Sequence, residues 1–347
     1  MVTGSVVALL FFGNFVIQSK QIKMKIAIIN TTYQKYGGSI YTEMIFKALS
    51  KDFKSEFINT GVRTKSILKY LEAPLVLWRI FEFSKRKNIA IAIKNFEASI
   101  FLNQKPAKNI AVVYHIDNSS RPFFLKPFFF MLEKIVFANL KKFDKIVVIS
   151  SYWEDFFRGK GFKNLTKIYC AFDVEEFDFS KEEIESFKKR HHLTGKPIIY
   201  IGNCTKGKGV VESYAALKDL DVYLVTSGKK RVNLPVTNLE LDRRDYLRLL
   251  KSSSVVITMS KFKEGWNMTA HEAMLCKTPV IGSGLGGMRE LLEGGGQVIC
   301  ENFLHLQEKV KYCLAHPEFG ARGYNYAKNF IAERFKKQWM DLINSSD

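Results

Sequence analysis

Two carboxylates, Glu264 and Glu272, stand eight residues apart in the run Glu264-Gly265-Trp266-Asn267-Met268-Thr269-Ala270-His271-Glu272. Asn267 is a good N-cap for a helix beginning behind it. That leaves Glu264 in the preceding loop and puts Glu272 one turn further in. The free N–H groups of the first helical turn, near Met268 and Thr269, can hold a diphosphate. Glu272 can accept two hydrogen bonds from a ribose diol, and Glu264 then faces whatever lies beyond the phosphates. An exposed helix with ordinary acidic residues has the same letters, so the neighbouring loops decide.

Two more turns in this half of the chain offer the same chemistry. Gly202-Asn203-Cys204-Thr205-Lys206-Gly207-Lys208-Gly209 follows an apolar run and leads into a helical pattern from Val210. Amides and helix dipole can cradle a phosphate there, and Lys208 supplies a point charge. It is not a P-loop, because Gly209 stands where that motif has Ser or Thr. Gly282 to Glu290 follows the run Thr278–Ile281 and presents Gly286-Gly287 just before a helix. Near the other end, Gly37-Gly38 closes the loop Thr31–Ser39 before a helix from Ile40, without G-x-G-x-x-G spacing. Each turn alone reads as a plain glycine turn or a solvated basic one. Three in one domain, all behind apolar runs, read as a ligand edge.

The elements that must position them are short apolar runs alternating with helical patterns. Strands are expected at Lys25–Asn30, Ile89–Ile93, Asn109–His115, Lys145–Ile149 and Thr166–Cys170. A second series is expected at Pro197–Ile201, Val222–Val225, Val255–Thr258, Pro279–Ile281 and Gln297–Ile299. Helical stretches include Ile40–Ser50, Pro127–Lys142 and Tyr324–Ile343. Such alternation predicts an α/β chain of parallel sheets with crossover helices. Ligands of these sheets bind beyond the carboxyl ends of the strands. The division expected is an apolar extension over 1–23, a Rossmann-like domain over 24–170, a charged linker over 171–195 and a second Rossmann-like domain over 196–325. Residues 326–347 close the chain. The apolar stretch Ser5–Ile17 is too short to span a bilayer and lacks a basic n-region. It reads as an upstream extension of a natural start at Met24, or as a weak interfacial anchor.

With 347 residues, 47% hydrophobic and 25% charged, the chain is neither disordered nor collagen-like. Five cysteines with no C-x-x-C imply no disulfide framework and no zinc ribbon, and favour a reducing compartment. Residues 1–170 hold 27 Lys and Arg against 11 Asp and Glu, whereas 171–347 hold 26 against 23. The net charge of +19 therefore sits almost wholly in the first half, where an anionic partner can use it. The segment Arg121–Phe137 is rich in Phe and carries Arg121, Lys126 and Lys134. It reads either as a crossover helix buried against the sheet or as a basic amphipathic segment for anionic lipid. Asp219-Leu220-Asp221 reads as a turn and His191-His192 as a solvated pair. His271 reads as helix packing or a surface site, and Phe335 and Trp339 read as core.

The run EGWNMTAHEAMLCKTPVIGSGLGGMRE resembles the signature of the family-4 retaining glycosyltransferases of the GT-B fold. Glu264 with Glu272 matches their E-x7-E element, and Gly286, Gly287 and Glu290 match their Gly-Gly-x-x-Glu turn. Gly37-Gly38, Tyr114-His115, Asp144–Ser150 and Lys208-Gly209 extend the resemblance over nearly all of 24–345. The resemblance implies two Rossmann-like domains facing a central cleft, with a C-terminal helix crossing back to the first domain. It implies transfer of a sugar from a UDP-, GDP- or other nucleotide-diphosphate donor to a glycan or lipid-linked acceptor, with anomeric retention, no metal and no cofactor. Glu264, His115 and Lys208 would be catalytic. Gly37, Gly38, Asn203, Trp266, Asn267, Met268, Thr269 and Glu272 would bind substrate. Three features depart from the pattern: Asn203 replaces an arginine, Cys170–Asp173 replaces Asn-Gly-Val-Asp, and His115 and Asp117 are no longer adjacent. The first-half charge adds the expectation of a cytoplasmic protein, peripheral on the cytoplasmic membrane face. A GT-B epimerase and a non-catalytic nucleotide-sugar or nucleic-acid binder are the alternatives, although no RNA-stacking signature accompanies the charge.

Overall fold

The computed structural model describes residues 24–32, 37–62, 71–105, 107–117 and 123–345. The expectations for residues 1–23, for 33–36 of the first glycine loop and for Arg121 lie outside the described residues.

The first sheet holds β1 (Lys25–Thr32), β2 (Lys54–Val62), β3 (Ile91–Asn95), β4 (Lys108–Val113), β5 (Lys145–Val148) and β6 (Leu165–Lys167). Their order is β2-β1-β3-β4-β5-β6, with every pair parallel. Helices α1 (Gly37–Leu49), α2 (Ala73–Ser84), α3 (Lys126–Leu140) and α4 (Ser151–Gly159) make the crossovers. Helix α5 (Lys181–Arg190) lies in the connection and starts at a Ser180–Glu183 capping box.

The second sheet holds β7 (Ile198–Asn203), β8 (Tyr223–Ser227), β9 (Thr237–Leu239), β10 (Val255–Thr258), β11 (Val280–Gly282) and β12 (Val298–Ile299). Their order is β12-β11-β10-β7-β8-β9, again all parallel. Around it lie α6 (Val210–Leu217), α7 (Arg243–Ser252), α8 (Met268–Leu275), α9 (Met288–Gly294), α10 (Leu306–Ala315) and α11 (Glu318–Ala327). The last helix, α12 (Ala332–Asn344), returns to the first lobe, as expected. Phe335 meets Tyr41 of α1 edge-on at 5.4 Å, and Lys336 pairs with Asp52 at 2.8 Å. Lys108 donates to the carbonyls of Leu342 and Ser345.

Continuous apolar runs such as Ile91–Ile93 and Val255–Ile257 make sense because both faces of each sheet are covered. One face of the first sheet packs on α2, α3 and α4 through Ile80, Phe83, Val136, Leu140, Trp153 and Phe157. The other shares a core with the second lobe, running from Ile28 and Tyr41 through Phe172, Phe335 and Trp339 to Trp266 and Leu250.

Two strands escaped the apolar pattern. β2 and β9 are sheet edges, with one neighbour each, and so carry polar residues that a buried strand would not. The single helix expected over Tyr324–Ile343 is two, α11 and α12, separated at 328–331. There Phe172 donates to the Phe330 carbonyl at 2.9 Å and bridges Ile331, so this stretch ties the connection to the chain end. Asp219–Asp221 is a turn, and Asp221 pairs with Lys196.

Candidate active site

The carboxyl ends of the two sheets meet. Gly265, behind β10, approaches the segment behind β4 so closely that a Cβ there would lie 2.2 Å from the Tyr114 carbonyl oxygen. Gly287, behind β11, would place a Cβ 1.9 Å from the Gly265 carbonyl oxygen and 2.4 Å from Ser150 Oγ. Only glycine fits at these two contacts. Gly37, behind β1, faces Met268 at the start of α8, and Gly38 lies against the Tyr114 ring.

Glu264 sits at this junction, 7% exposed. Its N–H donates to Leu285 and its carbonyl accepts from Gly287, so the Gly-rich turn staples it from one side. Trp153 Nε1 of α4 donates to the same carbonyl at 3.1 Å from the other lobe. Its carboxylate oxygen Oε1 accepts from Lys208 Nζ at 2.6 Å, from Ser260 Oγ at 2.5 Å and from Asn267 Nδ2 at 3.4 Å. Oε1 takes all three contacts, and among the described residues Oε2 takes none.

Lys208 reaches this carboxylate because Gly209 turns the chain at φ +70°, where its α-carbon also lies close to the Met259 carbonyl. The Lys208 ammonium stands 5.0 Å above the ring of Phe262, and His115 of the first lobe stacks on that ring at 5.8 Å. Phe262 thus links two of the expected catalytic residues. No motif marked it; its place two residues before Glu264 was the only signal.

Asn267 caps α8 as expected. Its side chain accepts from Ala270 N at 2.9 Å, and it adopts φ +68°, a left-handed conformation that asparagine tolerates. The cap satisfies Ala270, and the N–H groups of Met268 and Thr269 open the first turn with no acceptor among the described residues. Thr269 Oγ1 receives a bond from Tyr246. Asn203 is exposed at the end of β7, and its Oδ1 accepts from Tyr200 and Ser227.

Two residues are placed differently from the reading of an open ligand edge. Glu272 is buried and paired with Arg243 of α7, which also reaches Glu176 at 3.2 Å. Burial raises the Glu272 carboxyl pKa, and the guanidinium only partly opposes it. A diol at Glu272 therefore shares the carboxylate with Arg243, a partner the E-x7-E spacing does not reveal. Trp266 is 1% exposed and packs among Tyr169, Phe330 and His271, so its side chain is core and only its backbone borders the cleft. Its Nε1 donates to His271 Nδ1 at 2.8 Å, and His271 Nε2 donates to the Ala327 carbonyl at 3.1 Å. His271 is thus buried packing, and burial pushes its pKa down to about 4.

Glu290 also faces the other lobe. Its two oxygens accept from Ser151 N and Ser151 Oγ, both at 2.7 Å, and from the Tyr169 hydroxyl. It supplies the N-terminus of α4 with the anion that Ser150 does not provide.

Residues 181–330, which include Lys208, Glu264, Glu272 and Glu290, match the family model for glycosyl transferases group 1. That segment is similar to the group 1 glycosyl transferases. The resemblance read from the sequence holds at this level. Trehalose synthase of Pyrococcus horikoshii is 32% identical over 117 residues, 32% of this chain and 28% of that protein. An uncharacterised glycosyltransferase of Methanocaldococcus jannaschii is 28% identical over 156 residues, 39% of this chain and 44% of its own length. The chain thus spans less than half the length of these relatives. Sucrose-phosphate synthase from Thermosynechococcus elongatus superposes with a TM-score of 0.75 at 16% identity, covering 92% of this chain and 98% of that one. Anabaena HepE in complex with UDP-glucose superposes with a TM-score of 0.72 at 16% identity, covering 92% and 99%. The matched segment therefore sits in a GT-B fold, with two parallel six-stranded lobes.

Proposed function

We propose that this group 1 chain is a family-4-type glycosyltransferase that moves a sugar from a nucleotide-diphosphate donor to a glycan or lipid-linked acceptor, with retention and without a metal. The observation that carries the reading is the Lys208–Glu264 pair beside the first-turn amides of α8. HepE, of the same fold, is seen with UDP-glucose, which supports a nucleotide-sugar donor. The 24–170 and 196–325 division is proposed as acceptor and donor domains, with 326–347 returning to the first.

In this reading the donor diphosphate lies between Lys208 and the N–H groups of Met268 and Thr269. The reaction breaks the bond from the anomeric carbon to the phosphate oxygen, and charge accumulates on that oxygen. Preorganised donors aimed at that charge lower the barrier. Lys208 shifts from a carboxylate it already touches to bridge carboxylate and phosphate, so little reorganisation is needed. Oε2 of Glu264, which no described residue engages, takes a hydroxyl of the donor sugar. Glu272 and Arg243 hold the ribose side, and Asn203 with the amides near Lys208 borders the phosphates. The acceptor oxygen attacks from the face the phosphate leaves, and the departing phosphate oxygen takes the acceptor's proton. Gly37, Gly38 and His115 close the site from the first lobe, which keeps water from competing. The charge of the basic first half supports a site of action at the cytoplasmic membrane face.

The test is product analysis with a labelled donor, with and without acceptor. Transfer that appears only with acceptor and falls at least about a hundredfold in kcat for Glu264→Gln supports the reading. Epimerised donor without acceptor, or unchanged kcat in Glu264→Gln, overturns it.

A further inference from the structure

Helices α2 and α3 present an apolar surface that no described residue covers. Among the described residues, fourteen large apolar side chains stand exposed, and ten of them lie between Leu71 and Ile135. Trp78 is 57% exposed and Phe124 71%, and Phe81, Phe123, Phe130 and Met131 join them. α3 is apolar nearly all round, yet only Val136 and Leu140 are buried. A helix of that composition ordinarily goes inside a protein or into lipid. Both helices pack on the same face of the first sheet, opposite α1 and α12, and Phe81 of α2 and Asn139 of α3 reach the same 100–101 segment between them.

Charge decides what covers this face. The segments 71–88 and 123–142 carry eight Lys or Arg against three Glu. Cations sit directly on the exposed rings: Lys85 over Phe81 at 4.2 Å, Lys134 over Phe130 at 4.6 Å and Lys126 over Phe123 at 5.9 Å. Aromatic side chains rimmed by lysines suit the boundary between acyl chains and anionic headgroups. No described helix is long and apolar enough to cross a membrane, so the face would lie on the bilayer rather than span it.

We propose that the α2–α3 face seats the chain on an anionic lipid bilayer, with Trp78, Phe124 and Phe130 inserted at the interface and Lys85, Lys126 and Lys134 on the headgroups. Crossover helices run back from the carboxyl ends of their strands, so α2 and α3 both start at the cleft end of the first sheet. Seating therefore brings the cleft edge of the first lobe alongside the lipid surface. This deepens the membrane side of the proposed function, but the surface features stand without it.

The experiment is vesicle flotation of the full chain with phosphatidylcholine alone and with added phosphatidylglycerol, at low and high salt. The variants are Trp78→Ser/Phe124→Ser/Phe130→Ser and Lys85→Glu/Lys126→Glu/Lys134→Glu, with thermal stabilisation by UDP and gel filtration measured in parallel. The expected result is salt-sensitive binding to anionic vesicles that drops about tenfold or more in each variant. Stabilisation by UDP should stay unchanged, which shows both variants folded. Absence of flotation by the wild type, or equal flotation of the variants, overturns the proposal. A wild-type dimer that the serine variant dissociates, without vesicle binding, assigns the face to a second copy instead and also overturns it. Flotation without any response to UDP or another nucleotide leaves this inference standing and removes the glycosyl-transfer reading.

Discussion

Lys94→Met should make the protein more stable at neutral pH. Lys94 lies on β3 with no solvent exposure. Its ammonium donates to the Phe101 carbonyl at 2.5 Å and otherwise faces the rings of Phe83 and Phe143 at 5.7 and 6.0 Å. No carboxylate among the described residues pairs with it. Burial pushes its pKa down from 10.5 to about 7. The unfolded chain therefore binds a proton at this site between pH 7 and 10.5 that the folded chain sheds. Stability from this group is complete above 10.5 and is lost as the pH falls toward 7. The span corresponds to roughly 5 kcal/mol. Methionine fills a similar volume without a charge, but leaves the Phe101 carbonyl short of a donor at a cost of about 1–3 kcal/mol. The net gain at pH 7 is then about 2–4 kcal/mol, or roughly 5–10 °C in the melting of the first lobe. Urea titrations of both proteins at steps from pH 7 to pH 10 read the difference directly. The variant's advantage should shrink as the pH rises. A variant less stable at pH 7, or a gap that does not change with pH, refutes the reasoning.

Two substitutions probe the lobe junction. Gly287→Ala drives a methyl into Gly265 O and Ser150 Oγ, so the lobes must part. Turnover should fall at least about tenfold, with roughly 1–3 kcal/mol lost in stability, while nucleotide affinity, which rests on the second lobe, stays within about twofold; steady-state kinetics and calorimetry separate the two. Glu290→Gln removes the charge from the bonds to Ser151 N and Oγ. It should cost about 1–2 kcal/mol and raise hydrogen exchange at the start of α4, without changing nucleotide affinity.

The two-lobed parallel architecture was legible because strands covered on both faces must be written in Ile, Val and Ala, as at Ile91–Ile93 and Val255–Ile257. The edge strands β2 and β9 escaped the same logic because a strand with one neighbour needs no such run. In the site, Asn267 and Lys208 were readable as local features, a cap and a basic glycine turn. The meeting of Lys208 with Glu264 is not local, since the two lie 56 residues apart. The lobe contacts are more distant still: Trp153 meets Glu264 across 111 residues and Ser151 meets Glu290 across 139. Trp266 shows the limit from the other side. Sequence puts it inside the motif, but side-chain direction in a loop depends on the turn, and this turn sends the ring into the core. For α3 the letters left burial and exposure open. The sheet face it crosses is already filled by α2, α4 and the 97–100 turn, which leaves most of its apolar surface outside.

The central claim is that Lys208 and the start of α8 grip a diphosphate, and calorimetric titration with UDP, GDP and ADP tests it most directly. For the tightest of the three, Lys208→Met should weaken binding about 10–150-fold, the value of 1.5–3 kcal/mol for a charged hydrogen bond. The corresponding nucleoside without phosphates should bind both proteins alike. Equal affinity of wild type and Lys208→Met for that nucleotide would contradict the account.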